Sequence, residues 1–384
     1  MRKTLCVLFS IILLLSASFT FAENDPIANK GKKWRIGYYE GGPYEEYQDE
    51  FVSIIAGFVK LKWMAKLKHP HLKDPEDTKE LWMYLAKNTK SDYIEFVKEA
   101  YWSSDWDNIK RIKAKASAIQ MLADKKLDMV IACGTWAGLD LVNNQHSVPT
   151  IVVSTSDPVR AGMIGSYYDS GFDHVFVKTN PEHFINQIIL FHDLVQFKSL
   201  GFVYENTVDG RTYACYDDLL TVSKKRGFKV VPCVSQESDL SKKEIYERVI
   251  KCVEGMSGTI DAFHIADHNG TTQSNLPNII EILLKGKVAT WSQIGEDHTK
   301  LGVLFSVSRE EVDETMSRPT KRGMWLAETC AKIFHGAKPR VLQQVYIDPL
   351  NLSFNTKTAE MIGYDPPLNL LKRIDKTYNS IPGY

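Results

Sequence analysis

Short apolar runs rich in β-branched residues alternate with amphipathic helical stretches along most of the chain. Residues 129–132 and 261–266 are two such runs, and each lies between segments with helical periodicity. This alternation is typical of parallel sheets covered by helices. A chain of 384 residues is also too long for one ordinary hydrophobic core. We therefore predict an α/β protein with more than one lobe.

The same order of elements occurs twice. Asp128 precedes the first of these runs, and a Gly134-Thr135 loop follows it; Asp261 begins the second run, and a loop starting at Asp267 follows it. The similarity lies in the architecture rather than in residue identities. It predicts two Rossmann-like lobes with parallel sheets, joined by a hinge and facing each other across a cleft.

The first 22 residues have the pattern of a secretory signal peptide. Arg2 and Lys3 form a basic start, residues 5–15 are almost wholly apolar, and residues 20–22 (TFA) resemble a cleavage site. The alternative is an uncleaved anchor, but the apolar run is shorter than the roughly 20 residues that a spanning helix needs. We expect cleavage after residue 22 and a mature protein in the periplasm or another extracytoplasmic compartment, with no direct insertion into the membrane.

The charge and cysteine content argue against several classes of partner and site. The chain carries 47 basic and 47 acidic residues without a long stretch of one sign, which gives no support for a nucleic-acid partner. Cleavage would remove one of the six cysteines, Cys6, and leave an odd number in an oxidising compartment. Cys233 and Cys252 form a candidate disulfide that spacing alone does not establish. No histidine or cysteine group has the spacing of a metal site, so we expect neither a metal nor another cofactor.

Ligands of open parallel sheets bind beyond the carboxyl ends of the strands, where loops and helix N-termini meet. Loops of this kind follow the predicted strands and contain polar and aromatic side chains. We therefore predict a ligand-binding site formed by Glu40, Tyr44, Gly134, Thr135, Trp136, Ser156, Asp157, Tyr204, Asn206, Asp267, His268 and Trp291. No catalytic role is assigned to any of these residues.

Several of these residues also have a purely structural interpretation. Thr135 can cap the helix that follows it, either alone or while also contacting a ligand. The aromatic rings at the strand ends can stack on a planar ligand or pack between the lobes. Asp157 and Asp267 are placed to bind a ligand ammonium group, one from each lobe, but both also lie in turn-forming sequences. These alternatives stay open at the level of the sequence.

Six segments together resemble one known protein family. They are residues 127–135 (LDMVIACGT), 148–152 (VPTIV), 157–162 (DPVRAG), 352–359 (LSFNTKTA), 362–363 (IG) and 367–371 (PLNLL). In these segments the chain is similar to the ABC-transporter substrate-binding family that includes tryptophan-binding proteins, and the resemblance covers most of residues 34–375. It implies a type I periplasmic-binding-protein fold, small-solute ligands with aromatic amino acids among them, and a membrane ABC permease as partner.

The resemblance also implies a division of the chain and a position for the cleft. A last helix and strand, at about residues 321–347, would pass back between the lobes, and the Gly134-Thr135 loop, Asp157 and the Asp267 loop would line the cleft. The segments of lobe 1 would be residues 33–170 and about 306–338, and those of lobe 2 residues 175–305 and about 339–384.

Two features depart from the family pattern. Trp136 stands where the family usually has a small residue or proline, which would narrow that side of the pocket. Residues 60–90 look like an insertion, and this insertion can be a docking surface or a simple surface excursion.

These observations predict an extracytoplasmic solute-binding protein that closes on a small organic ligand and catalyses no reaction. The ligand class that we expect is an aromatic amino acid or a related cyclic compound. One alternative is a ligand-sensing subunit that presents its state to a membrane receptor. A less favoured alternative is a periplasmic enzyme: no Gly-x-Ser-x-Gly elbow or His-Glu-x-x-His motif is present, although His264, His268 and His298 stay open as bases.

Overall fold

The computed structural model describes residues 24–384 except 69, 71–75, 309, 311, 314 and 368–371. The predicted signal peptide therefore lies outside the described residues, as does most of the segment 367–371. The described part of the chain forms two sheets covered by helices, which confirms the predicted α/β fold with two lobes.

The first lobe is built on a five-stranded sheet. Its strands are β1 (Trp34–Glu40), β2 (Ile94–Ser103), β3 (Met129–Cys133), β4 (Thr150–Val153) and β5 (Val175–Val177). Their order is β2-β1-β3-β4-β5 and every pair is parallel. Alternate residues of β3 enter different apolar clusters, so this sheet is buried on both faces.

The second lobe is built on a seven-stranded sheet. Its strands are β6 (Ser199–Tyr204), β7 (Lys229–Val234), β8 (Ala262–Ile265), β9 (Ala289–Ser292), β10 (Phe305–Ser308), β11 (Asn351–Asn355) and β12 (Ile374–Tyr378). Their order is β12-β11-β10-β9-β8-β6-β7, and only β10 and β11 pair in antiparallel orientation among these described strands.

Helices cover the faces of both sheets. They are α1 (Glu45–Lys60), α2 (Thr78–Asn88), α3 (Asn108–Ala123), α4 (Thr135–Leu141), α5 (His183–Val195), α6 (Val208–Tyr213), α7 (Tyr216–Arg226), α8 (Lys242–Ser257), α9 (Leu276–Lys285), α10 (Glu296–Lys300), α11 (Lys321–Phe334) and α12 (Thr356–Ile362). Within the described residues, none of these helices combines the length and the apolar character needed to cross a membrane.

The two aspartates of the repeated sequence pattern perform the same task in each lobe. The Asp128 carboxylate accepts a hydrogen bond from the Arg35 backbone N–H at 2.8 Å, while the Asp128 N–H donates to the Arg35 carbonyl. Asp261 makes the same pair of hydrogen bonds with Ser199. Each aspartate thus fixes the start of its strand against the first strand of its own lobe. The weak repeat has a physical basis in strand alignment.

Residues in two parts of the segment 60–90 contribute to the core of the first lobe. α1 ends at Lys60, and Lys62 then adopts a φ of 64°, so that Trp63 turns inward. Trp63 and Trp82 are fully buried in the same apolar cluster, and α2 packs against β2. The alternative of a simple surface excursion does not account for Trp63 and Trp82, whose side chains fill the space beside the sheet.

The chain crosses between the lobes three times. The crossings follow β5, β10 and the short 3-10 helix Pro339–Val341. In place of the predicted strand near residue 347, the described residues show one isolated bridge between Thr179 and Val345, which joins two of the crossings. β5 pairs with β4 in the first sheet, although the sequence division assigned residue 175 to the second lobe. β10 lies in the second sheet, although the same division assigned residues from about 306 to the first lobe.

The candidate disulfide is present. Cys233 of β7 is bonded to Cys252 of α8, so the bond connects an edge strand of the second sheet to the helix beside it. Cys133, Cys215 and Cys330 are free thiols, and all three are buried. The odd number expected after signal cleavage thus consists of one disulfide and three interior thiols.

Candidate functional site

The cleft between the lobes contains two adjoining cavities. The larger, of about 710 Å³, is lined mainly by polar and charged side chains of α1, α10 and the three crossings. The smaller, of about 140 Å³, lies where α3, α4, α6 and the loop after β8 meet. Tyr44, Ser154, Ser156 and Asp267 line both cavities. Each cavity therefore takes its walls from both lobes.

Aromatic rings form much of the smaller cavity's wall. From the first lobe, Tyr44 packs against Tyr47 with ring centroids 5.1 Å apart and planes at 71°, and Trp106 packs against Trp136 at 5.6 Å and 69°. Tyr47 and Trp106 join these two pairs at 6.2 Å. Tyr213 lines the cavity from the second lobe. The rings are steeply inclined to one another, so they form the sides of a box rather than a flat stack.

The turn before α4 explains how Trp136 reaches the cavity. Gly134 is the N-cap residue, with a φ of 88°, and a Cβ at this position would lie 1.9 Å from the Tyr47 hydroxyl oxygen. The capping role predicted for Thr135 is wrong, because Thr135 is the first helical residue. Its buried hydroxyl faces the smaller cavity and has no hydrogen-bond partner among the described residues.

Arg111 of α3 holds Trp136 in place. The guanidinium carbon lies 4.5 Å from the centroid of the Trp136 ring, and the group binds the buried Asp140 carboxylate at 3.0 and 3.1 Å. It also lies 4.0 Å from Asp209 of the second lobe. Arg111 is therefore engaged with carboxylates of both lobes.

Carboxylates of the second lobe face the aromatic wall. Glu205, Asp209, Glu237 and Asp267 all line the smaller cavity. Glu205 accepts hydrogen bonds from the backbone of Glu237 and from the backbone and hydroxyl of Ser238, so it fixes the loop after β7. Burial raises the pKa of Asp209, although the nearby Arg111 opposes this shift. The cavity thus combines aromatic rings from one lobe with acidic groups from the other.

Glu237 stands out among these carboxylates. It is only 6% exposed, and its Oε2 accepts a hydrogen bond of 2.7 Å from the Asn269 backbone N–H. Its Oε1 is buried without a hydrogen-bond partner in the described structure. Burial raises the pKa of this carboxyl to about 8, since the Asn269 N–H only partly offsets the loss of water and Glu205 and Asp209 add to the rise.

Five of the twelve sequence-predicted residues line a cavity: Tyr44, Thr135, Trp136, Ser156 and Asp267. Gly134 lines neither cavity, but it is the N-cap residue of the helix that carries Thr135 and Trp136. The functional candidates that the sequence analysis missed include Tyr47, Trp106, Arg111, Tyr213 and Glu237. Trp106 lies in the loop after β2, so the rule that ligands bind beyond the carboxyl ends of strands (the strand-end rule) could have found it. Tyr47, Arg111 and Tyr213 lie on helices.

In the first lobe, two predicted residues lie outside both cavities, and their carboxylates accept hydrogen bonds from other groups of the protein. Glu40 is fully buried and accepts a hydrogen bond of 2.6 Å from the Tyr101 hydroxyl. Burial raises the pKa of Glu40 to about 7, although this hydrogen bond lowers it. Asp157 accepts hydrogen bonds from the Val159 and Arg160 N–H groups, which is the turn-forming alternative.

In the second lobe, four predicted residues lie outside both cavities. Tyr204 packs against other rings of the core, Asn206 points to solvent, and fully buried Trp291 donates to the Gln187 side chain at 3.1 Å. The His268 ring bonds to the Ser235 carbonyl and the Gly270 N–H. Tyr204, His268 and Trp291 therefore stabilise the lobe rather than line a cavity.

The three histidines that the sequence analysis left as possible catalytic bases are buried in the protein interior. Burial lowers the pKa of His264 and of His268 to about 4. His264 bonds to the Gln293 side chain at 2.8 Å, and His298 lies 2.9 Å from the Ser292 hydroxyl. In the described part of the chain, no group of three or more histidine, cysteine or acidic residues is arranged to hold a metal ion.

Polar contacts join the lobes around the cavities. Arg160 binds Asp218 at 2.6 Å, and the Asn108 side chain donates to Asp239 at 2.9 Å. Burial raises the pKa of Asp218 to about 6, although Arg160 opposes the shift. These contacts can form only when the lobes are close together, so they stabilise the closed arrangement.

Replacing Asp218 with asparagine is expected to weaken ligand binding roughly 10-fold, because the closed arrangement loses its ion pair with Arg160. The measurement is calorimetric titration with whichever compound stabilises the unmodified protein against heat. Asp217→Asn is the matched control, since Asp217 lies next along the helix and pairs with Arg211 of its own lobe. Equal affinities for both variants would contradict a role in closure.

A family model described as ABC transporter substrate binding protein matches residues 94–378 of the chain. No curated protein gives a match. Three solved structures each align over 90% of this chain and 100% of their own. A conserved domain protein from Vibrio cholerae has a TM-score of 0.64 at 17% identity, and an ABC domain from Streptococcus pneumonia, in complex with L-Trp, has 0.64 at 18%.

The third structure is a ligand-free, open substrate-binding protein with adhesive properties from Clostridium difficile, with a TM-score of 0.57 at 17% identity. At these identities the likeness shows the fold alone. Two parallel-sheet lobes with three crossings are the type I periplasmic-binding-protein architecture that the sequence predicted.

Proposed function

Because the chain belongs to the ABC transporter substrate-binding protein family, we propose that it encloses a small organic solute between its lobes and delivers it to a membrane permease. One observation carries this proposal: the smaller cavity is walled by residues of both lobes, with α3 and α4 on one side and α6 and the loop after β8 on the other. A ligand that contacts both walls favours the closed arrangement over the open one.

An aromatic amino acid or a related cyclic compound is the ligand class that the sequence predicted. The five aromatic side chains around the smaller cavity support a ligand with an apolar or planar surface. The cavity volume of about 140 Å³ is close to that of an engineered cavity of about 150 Å³ that holds benzene. The smaller cavity therefore suits a one-ring group, and the adjoining larger cavity leaves room for the rest of the ligand.

We place the protein outside the cytoplasm, after removal of residues 1–22. The disulfide between Cys233 and Cys252 supports this location, because such bonds persist mainly in oxidising compartments. The ligand-sensing alternative started from a docking role for residues 60–90. These residues contribute buried tryptophans to the core, so that alternative loses the observation that favoured it.

A thermal-shift screen of the exported protein tests the proposal. We expect at least one compound among amino acids, small amines and cyclic solutes to stabilise the protein, by about 2.7 kcal/mol at a hundredfold excess over its dissociation constant. Asp267→Ala should abolish that stabilisation, because Asp267 lines both cavities. Glu281→Ala is the control, since Glu281 pairs with Lys285 on an exposed helix face.

Small-angle scattering supplies an independent measurement. The stabilising compound should reduce the radius of gyration, as expected when two lobes close. A protein that no compound in the screen stabilises, or one whose dimensions stay the same with its ligand bound, would contradict the proposed function.

A further inference from the structure

The smaller cavity carries more negative than positive charge. Four carboxylates line it, and Arg111 is the one lysine or arginine among the described residues of its wall. Arg111 binds Asp140 through two of its nitrogens and lies beside Asp209. A ligand carboxylate would therefore find no unengaged cationic side chain in this wall. A ligand with a positive charge finds several acceptors.

One oxygen among these carboxylates, Oε1 of Glu237, accepts no hydrogen bond from the described residues. The Glu237 side chain is 6% exposed, lines the smaller cavity, and keeps Oε1 without a hydrogen-bond partner in the described structure. A buried polar atom without a partner loses its hydrogen bonds to water without replacement, and the loss is larger when the atom is charged. A ligand cation against Oε1 offsets this loss by charge attraction, and an ammonium group that carries N–H would also donate a hydrogen bond.

The aromatic rings favour the same kind of ligand. Tyr44, Tyr47, Trp106 and Trp136 are joined edge to face or at a tilt, and Tyr213 faces them from the second lobe. Rings that enclose a space attract an organic cation through their negative faces, and such aromatic boxes are the usual way that proteins bind quaternary ammonium groups. An uncharged ligand would gain only apolar contact from them.

From these contacts we propose that the ligand is a compact organic cation whose ammonium group lies against Glu237 inside the aromatic box. This inference rests on the proposed function and narrows the small organic solutes named there to cations. The cavity volume of about 140 Å³ suits a group of roughly the size of benzene, and the adjoining larger cavity leaves room for any further part of the ligand.

The charges around Glu237 make binding depend on pH. Glu205, Asp209 and Asp267 of the second lobe and Arg111 of the first line the same cavity as Glu237, and the ring of His268 lies 3.9 Å from the Glu237 carboxyl. A cationic ligand stabilises the ionised carboxylate, so binding strengthens as the pH rises towards and past the pKa of about 8 of the free site. For a ligand with a permanent charge, the affinity should be roughly 20-fold lower at pH 6.5 than at pH 8.5.

The test is calorimetric titration of the exported protein with choline and with 3,3-dimethylbutan-1-ol, a neutral molecule of the same shape. Choline should bind at least about 10-fold more tightly than the alcohol, because only the cation interacts with the ring faces and with Glu237. Its affinity should follow the pH dependence given above. Choline carries a permanent charge, so any pH dependence belongs to the protein.

Two variants locate the ammonium group. Glu237→Gln should reduce choline affinity at pH 8.5 at least about 10-fold, and Trp106→Leu should reduce it about 5-fold by removing one ring. Glu281→Gln, which neutralises an exposed carboxylate of the same lobe, should leave it unchanged. If Glu237→Gln does not fold, Trp106→Leu and the pH profile of the unmodified protein still decide the question.

Equal binding of choline and the alcohol would overturn the inference, and so would full affinity of a folded Glu237→Gln variant. Binding of phenylalanine with no binding of choline would also overturn it while leaving the proposed function in place. If neither choline nor any compound of the thermal-shift screen bound, the proposed function would fall as well.

Discussion

Replacing Arg322 with methionine is expected to lower the free energy of unfolding by about 3–5 kcal/mol. Arg322 of α11 binds the Glu50 carboxylate of α1 at 2.6 and 2.7 Å, and Asp348 of the third crossing at 3.0 Å. The Glu50 side chain is only 2% exposed. Methionine has a similar length but no charge, so the variant leaves a buried carboxylate without its counter-ion. Urea denaturation of both proteins measures the difference.

Lys321→Met is the control for this prediction. Lys321 is the preceding residue, its side chain is 82% exposed, and it pairs with Glu310 on the surface. Removing its charge should change the free energy of unfolding by less than about 1 kcal/mol. Similar losses for the two variants would show that the ion pairs of Arg322 contribute no more than a surface pair does.

The same ion pairs predict how stability changes in acid. Burial alone would raise the pKa of Asp348, but Lys178 and Arg322 together hold it below its ordinary value. A carboxyl of this kind stabilises the fold above its ordinary pKa of about 3.9, and the contribution is lost as the pH falls below that value. Arg322→Met removes one of the two cations, so its stability should fall less steeply in acid than that of the unmodified protein.

Arg322 also bears on how the lobes move. Asp348 accepts from Lys178 and from Asn180, which lie in the first crossing, while Arg322 connects Asp348 to α1 of the first lobe. Two of the three crossings are thereby tied to the first lobe through one carboxylate. These contacts hold the two crossings together where they leave the first lobe.

The sequence predicted β3 and β8, because each is a buried apolar run between helical stretches. It missed β10 and β11, whose interior side chains include serines. The hydroxyls of Ser306 and Ser353 lie 2.7 Å apart, and both bond to Thr299, so a small polar cluster replaces apolar contacts between these strands. Polar residues that satisfy one another in the interior carry the composition of a loop. The pattern of hydrophobic residues therefore cannot distinguish a buried strand of this kind from a loop.

The strand-end rule located the cavity but not all of its walls. It found Thr135, Trp136 and Asp267, which follow β3 and β8 directly. It could not find Tyr47 and Arg111, because helical periodicity indicates which face is buried and not which face meets the other lobe. It also cannot tell whether a strand-end carboxylate serves a ligand or its own turn, which is why Asp157 was included.

Residues 60–90 provide the second large effect on stability. Trp82 of α2 is fully buried, donates to the Val97 carbonyl at 3.2 Å, and packs against Phe51 and Phe96 with ring centroids 5.8 and 5.5 Å away. It thereby fills the space between α1 and the edge strand β2. A segment that contributes such a residue is part of the core of the first lobe.

Trp82→Ala is therefore expected to lower the free energy of unfolding by about 3–5 kcal/mol, because the surrounding rings cannot collapse into the space left by the indole. Urea denaturation measures the loss. Lys87→Ala, at an exposed position of the same helix, should change stability by less than about 0.5 kcal/mol. If Trp82→Ala were as mild as Lys87→Ala, then α2 would be the surface excursion that the sequence allowed, and a chain without residues 60–90 should still fold.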